Sequence, residues 1–162
     1  MKPDAFLGND PGNNGAICIL IPSINKLHFI DLKKCTIDIK YWLNCVCKDY
    51  NIIDIYIEDV HSIYGSSSKA NFGFGRSVQR IHTIYEMLEL KTKLVTPKVW
   101  QAKVGVTVKG KQIKQNVKEL CNHYYPQLIL DPLLYGKLGG FRDGRSDSLM
   151  IAHYAYITHY EK

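Results

Sequence analysis

The sequence predicts an α/β protein built on a five-stranded mixed sheet, three antiparallel strands followed by parallel ones, with helices on both faces. Three observations predict it. Short apolar runs joined by turn chemistry open the chain, one strongly alternating run follows near residue 55, and segments with apolar residues at helical spacing separate and follow the later runs.

The first three elements are Ala5 to Asn9, Ala16 to Ile21 and Leu27 to Leu32, separated by DPGNNG and PSINK, which is the chemistry of two successive hairpins. They form an antiparallel meander. Thr36 or Asp38 starts a helix in which Ile39, Trp42, Leu43 and Val46 recur at helical spacing. The next strand, IIDIYIEDV, alternates Ile53, Ile55 and Ile57 against Asp54, Tyr56 and Glu58. HSIYGSSSKANFGFG reads as a Ser- and Gly-rich loop, with a helix from about Ser77 to Leu90 after it. TKLVTP is a fifth strand, PKVWQAKVG a short helix, VTVKGK an exposed basic loop, and Gln112 to Tyr124 a helix with Ile113, Val117 and Leu120 on one face. Residues 126–142 read as irregular, and Asp143 begins a last helix. A strand that follows the meander through a helix lies parallel to the first strand, so Asp10 and Glu58 share one end of neighbouring strands. Ligands of such sheets gather at the carboxyl ends of strands.

With 162 residues, 46% of them hydrophobic, the chain is long enough for one domain with a core, spanning residues 1–162. No run of about 18 apolar residues is present, and only Lys2 precedes a short mixed segment, so neither a membrane span nor a secretory signal is expected. The expectation is an intracellular, cytoplasmic protein without a membrane partner or a small-molecule cofactor. The cysteines (Cys18, Cys35, Cys45, Cys47, Cys121) are odd in number and scattered, which favours reduced thiols. Cys45 and Cys47 have no second pair to complete a zinc site. Charge is uneven. From His61 to Lys118, eleven Lys or Arg stand against only Glu86 and Glu89, a balance of +9, so the remainder carries −3 of the net +6. A basic surface by itself serves solubility; beside a carboxylate cluster it points to nucleic acid.

The carboxylates are Asp10, Glu58, Asp143 and Asp147. Asp143 and Asp147 are four apart and project from one helix face, and Asp147 shares its stripe with Met150, Ile151 and Tyr154, which points it at the sheet. Singly, each acid has a structural explanation: a helix cap, a dipole partner, an Asx turn, an exposed strand end. Those explanations do not account for their convergence. Two carboxylates about 5 Å apart repel by roughly 3 kcal/mol at an effective dielectric near 20, so the group calls for protons or cations. Oxygen-only ligands suit Mg²⁺ or Mn²⁺, and two such ions about 4 Å apart would support phosphodiester hydrolysis.

Four stretches, LGNDPGNNGAI, IEDVHSIYGSSSKANFGFGRSV, LVTPKVWQ and RDGRSDSLMIAHYA, stand in an order that resembles the RuvC-like Holliday junction resolvases of the RNase H-like superfamily, especially forms common in phages and large DNA viruses. The resemblance spans nearly the whole chain. It implies an RNase H-like fold and a homodimer that binds four-way DNA junctions and nicks two opposed strands with two Mg²⁺ ions per site, Mn²⁺ substituting; for a phage or viral protein the compartment is the host cytoplasm. Asp10 is then the first-strand metal ligand and Glu58 the second, with Asp143 and Asp147 as the helical pair. Bacterial relatives have their last two acids three apart, whereas Gly144 occupies that place here. Asn9 stands where relatives have an apolar residue, and if buried it needs hydrogen-bond partners.

Lys111 resembles a family lysine near the scissile phosphate, a duty that Lys109 and Lys114 can share. Phe72 and Phe74 are candidates for stacking at the crossover, Arg76 and Arg80 for phosphate contacts, and His61 for contact with solvent or substrate. An RNase H-like nuclease acting on RNA–DNA hybrids, and a junction-binding protein without activity, are the alternatives. An actin-like ATPase would need two lobes and a second phosphate loop, which the chain lacks.

Overall fold

The fold is described from a computed structural model, which covers residues 1–60, 67–136 and 139–161. The hairpin chemistry produces β1 (Asp4–Asn9), β2 (Ala16–Ile21) and β3 (Lys26–Asp31) as the expected antiparallel meander. After α1 (Thr36–Asp49), β4 (Asn51–Glu58) returns parallel to β1 on its free side, and β5 (Lys93–Val95) extends the sheet, giving the order β3-β2-β1-β4-β5.

Alternation divides the strands between two cores, one on each face of the sheet. Leu7, Ile17, Ile19, Ile55 and Ile57 meet α1 and α2 (Ser68–Met87), whose Ile39, Leu43, Ile81, Ile84 and Tyr85 are buried. Phe6, Cys18, Leu20 and Tyr56 face the other way. They pack under α3 (Pro97–Val104), α4 (Ile113–Tyr124), α5 (Asp131–Leu134) and α6 (Asp143–Tyr160). Both faces are covered, so β1 and β2 are apolar on both sides. Asp54, on the polar side of the β4 alternation, is also buried and pairs with Lys93 and His159.

Helix α6 lies directly on β1. A Cβ on Gly8 would come within 2.2 Å of both the Ser148 carbonyl oxygen and the Ala152 nitrogen, so only glycine permits this approach. At the start of α6, a Cβ on Gly144 would meet the Asn14 carbonyl oxygen at 2.3 Å, which brings the helix against the β1–β2 turn. Gly8→Ala therefore has to push a helix backbone off the sheet. Overpacking of this kind costs about 3 kcal/mol, and thermal denaturation is expected to show a Tm roughly 6–12 °C lower.

Three sequence expectations need correction. Helix α2 begins at Ser68, not near Ser77, with the Ser67 hydroxyl accepting from the Ala70 N–H at 3.2 Å. Gly73 and Gly75 marked the segment as a loop; the Ser67 cap and the packed Ser77–Ile81–Ile84–Tyr85 stripe farther along override their low propensity. Residues 126–142 are not irregular throughout, because Pro132 sits in the first turn of α5 and Tyr135 bridges Phe141. A 3₁₀ turn, Gly110–Gln112, precedes α4. Among the described residues no helix is long and apolar enough to cross a membrane.

Candidate active site

Asp10 follows β1 by one residue, and period-2 alternation puts it on the Phe6–Gly8 side of the sheet, beneath α6. The parallel register pairs Asn9 with Ile57, so the next step sets Asp10 beside Glu58. The Gly12 N–H donates to Asp10 Oδ1 at 3.0 Å, closing an Asx turn that fixes the carboxylate at the strand end. Burial raises the Asp10 pKa; the Gly12 hydrogen bond opposes this and the charge of Asp143 adds to it.

Glu58 ends β4 and accepts a hydrogen bond from Trp100 Nε1 at 2.8 Å. Burial pushes its pKa up to about 7, against the Trp100 bond and with the Asp10 charge contributing. The local sequence explains the indole's position. Pro97 opens α3 directly after β5, and that turn swings the fully buried Trp100 back beneath β4.

The other two acids belong to the first two turns of α6. Asp147 is raised well above the usual carboxylate range, chiefly by burial, then by the charges of Asp10, Glu58 and Asp143. Asp143 pairs with the ammonium of Lys114 from α4. The helix start is anchored to β3, because Arg142 Nη1 and Arg145 Nε donate to the two oxygens of Asp31 at 2.7 and 2.6 Å. On the opposite side, the Ser77 hydroxyl donates to the Pro11 carbonyl at 3.0 Å and ties the β1–β2 turn to α2.

The four carboxylates thus share one electrostatic neighbourhood at the carboxyl ends of β1 and β4. Among the described residues, no three His, Cys, Asp or Glu side chains are drawn into a ready coordination cluster. The Gly12 N–H, the Trp100 indole and the Lys114 ammonium each hold one carboxylate. An oxygen-only set, with three members destabilised as anions by burial and by one another, has the chemistry of a site for hard divalent cations. The residues present fit such an ion.

Not every candidate falls in this neighbourhood. Lys114 reaches it, whereas Lys111 lies within the exposed 3₁₀ turn and Lys109 just before it. Phe72, Phe74, Arg76 and Arg80 lie on α2, with Phe72 exposed and Phe74 half-buried. Arg80 is turned inward, donating to the carbonyls of Leu32 and Lys34. Asn9 is fully buried and its Nδ2 donates to the Tyr85 hydroxyl at 3.5 Å, while its Oδ1 has no partner. His61 lies outside the described residues.

Sequence reasoning missed Trp100, the Arg142–Asp31–Arg145 clamp and the direct pairing of Lys114. The stretches LVTPKVWQ and RDGRSD carried the signal for the first two. Trp100→Phe keeps an aromatic, though smaller, ring in the core and removes the donor that favours ionised Glu58. A carboxyl-carbon NMR titration of the metal-free variant is expected to show Glu58 titrating about one pH unit higher than in the wild type.

No protein-family model matches the sequence, and no curated protein matches it. Solved structures do. Thermus thermophilus RuvC in complex with a Holliday junction substrate superposes with a TM-score of 0.63 at 10% identity, covering 97% of this chain and 96% of that one. The T. thermophilus RuvC structure described without that substrate gives the same values. The α/β fold, with its mixed five-stranded sheet between helices, is the RuvC/RNase H-like fold.

Proposed function

We propose that this chain is a divalent-metal-dependent endonuclease that resolves four-way DNA junctions, acting as a homodimer of single-domain subunits and belonging to the phage and viral branch of RuvC-like resolvases. The observation that carries this reading is the shared electrostatic neighbourhood of Asp10, Glu58, Asp143 and Asp147. The fold is one that RuvC uses in a complex with a Holliday junction.

Asp10, Glu58, Asp143 and Asp147 would hold two Mg²⁺ ions, with Mn²⁺ as a substitute. Bound there, such ions would supply an activated water and charge neutralisation at the scissile phosphate. The protein's part is placement. Gly12 and Trp100 fix the carboxylates of Asp10 and Glu58 before substrate arrives, so their orientation costs nothing during the reaction. Lys114 neutralises Asp143 in the resting site and is within a side chain's reach of an incoming phosphate, with Lys109 and Lys111 one turn earlier in the chain. Exposed Phe72 is available to stack on unpaired bases at the crossover, beside Phe74, and Arg76 is available to phosphates. Two opposed cuts on a two-fold substrate require two sites, hence the dimer.

The test is incubation with a synthetic four-way junction, a Y-fork, a plain duplex and an RNA–DNA hybrid in Mg²⁺, read by which strands are nicked. Paired nicks confined to opposed junction strands are expected. Preferred cutting of the hybrid would move the assignment to an RNase H-like activity, and no cutting of any substrate would remove it.

A further inference from the structure

Away from the carboxylates, an open groove of about 660 Å³ runs between α2 and the turn that joins β3 to α1. Lys33, Arg76 and Arg80 stand in its wall with Asn13, Thr36 and Ser77, and none of its lining residues is acidic. A smaller hollow of about 340 Å³ adjoins the active site, where Asn14, Asp143 and the Arg-paired Asp31 contribute to its wall. Lys33 lines both, and Asn13 and Asn14 are consecutive, so the two hollows adjoin at Lys33 and the β1–β2 turn. Taken together as one trough, they reach from Asp143, past the turn that follows Asp10, to α2.

The walls of this trough are built. Arg80 grips the carbonyls of Leu32 and Lys34, on either side of Lys33, so the loop that presents Lys33 is tied to α2. The Ser77 bond to Pro11 ties down the turn on the other wall. Among the described residues neither Lys33 nor Arg76 has an ion pair within 4.0 Å, although Lys33 acts on the charge of Asp31 in the smaller hollow. Lys33, Arg76 and Arg80 line the larger groove without an acid among its lining residues, and like charges there repel one another unless an anion lies between them. From Gly73 to Thr83 the helical wall is about 15 Å long, the rise of about four nucleotides of one strand.

We propose that this trough carries the sugar–phosphate backbone of the strand that flanks the scissile phosphate, with Lys33 and Arg76 each taking a phosphate and Arg80 positioning Lys33. The proposal rests on the nuclease reading and adds to it a route for the substrate on one side of the cut. Lys33, Asn13 and Thr36 become substrate-facing residues, and the recognition is of backbone charge, independent of base sequence.

The test measures binding of a four-way junction in metal-free buffer across a series of salt concentrations. The Lys33→Ala/Arg76→Ala double variant is expected to bind about 50-fold more weakly than wild type near 0.1 M salt, with the slope of log K against log salt smaller by about 2. Lys48→Ala, at the far end of α1, is expected to change neither. Amine-reactive footprinting of the wild type supplies a readout that does not depend on the variant folding: junction DNA is expected to protect Lys33 and leave Lys48 reactive. An unchanged slope or an unprotected Lys33, in a protein that still binds the junction, overturns the proposal and leaves the nuclease reading standing. Protection of Lys33 before DNA is added overturns it in favour of a protein interface. Failure of the wild type to bind any branched DNA removes the nuclease reading, and this proposal with it.

Discussion

Asp10→Asn is expected to bind a four-way junction as well as the wild type and to cut it at least about a thousandfold more slowly in Mg²⁺. The substitution is conservative where the fold is concerned. The asparagine Oδ1 can accept the same hydrogen bond from the Gly12 N–H, so the turn that ends β1 survives. What it removes is a negative charge at the point where Glu58, Asp143 and Asp147 also feel that charge. Metal-ion stabilisation of a phosphoryl transition state is worth several kcal/mol, and each 1.4 kcal/mol is a factor of ten in rate. Binding depends mainly on cations outside the cluster, so affinity is expected to hold or to rise slightly as one repulsive charge leaves the phosphate's surroundings. Single-turnover cleavage with junction binding measured in parallel checks both halves; cleavage within tenfold of the wild type contradicts the assignment of Asp10.

Glu58→Gln is expected to make the metal-free protein more stable at neutral and alkaline pH. The Glu58 pKa rises from 4.5 to about 7 because burial penalises its charged form. A carboxyl whose pKa is higher in the folded state binds a proton on folding, so stability falls as pH rises from the unfolded value towards the folded one. Below about pH 4.5 both states hold the proton and the penalty is absent; above about pH 7 it is complete, at about 3 kcal/mol. Glutamine keeps an oxygen for the Trp100 N–H and never ionises. With divalent ions chelated, thermal unfolding is expected to place Glu58→Gln roughly 6–12 °C above the wild type at pH 8, with the gap closing towards pH 4. Saturating Mg²⁺ is expected to stabilise the wild type and not the variant, reversing part of the gap. Equal melting temperatures at pH 8 in chelator would show that Glu58 carries no such penalty.

Much of this site was legible because its geometry follows from periods that sequence displays directly. Two-residue alternation places Asp10 with Phe6 and Gly8, parallel pairing puts Glu58 next to it, and four-residue helical spacing puts Asp143 above Asp147. The features that were not legible depend on tertiary approach. A fully buried tryptophan reads as core whether or not its N–H meets a carboxylate, so Trp100 gave no separate signal. Among Lys109, Lys111 and Lys114, the one that turns towards the acids is decided by the rotation of α4 against α6, and a basic loop sequence does not encode that angle. Arg80 looked like a free cation on a helix face, yet two backbone carbonyls of a neighbouring turn claim it. The start of α2 was obscured because Gly73 and Gly75 are unfavourable in a helix, and a Cβ at either would meet nothing within 4 Å, so no packing demand explains them.

Calorimetric titration of Mg²⁺ or Mn²⁺ into the full chain, with uncut junction analogue bound, tests the metal assignment most directly. Uptake of two ions per chain is expected for the wild type, and loss of that uptake for an Asp10→Asn/Asp147→Asn double variant that retains the wild-type circular dichroism spectrum. Absence of ion uptake by the wild type, or equal uptake by the folded double variant, would contradict it.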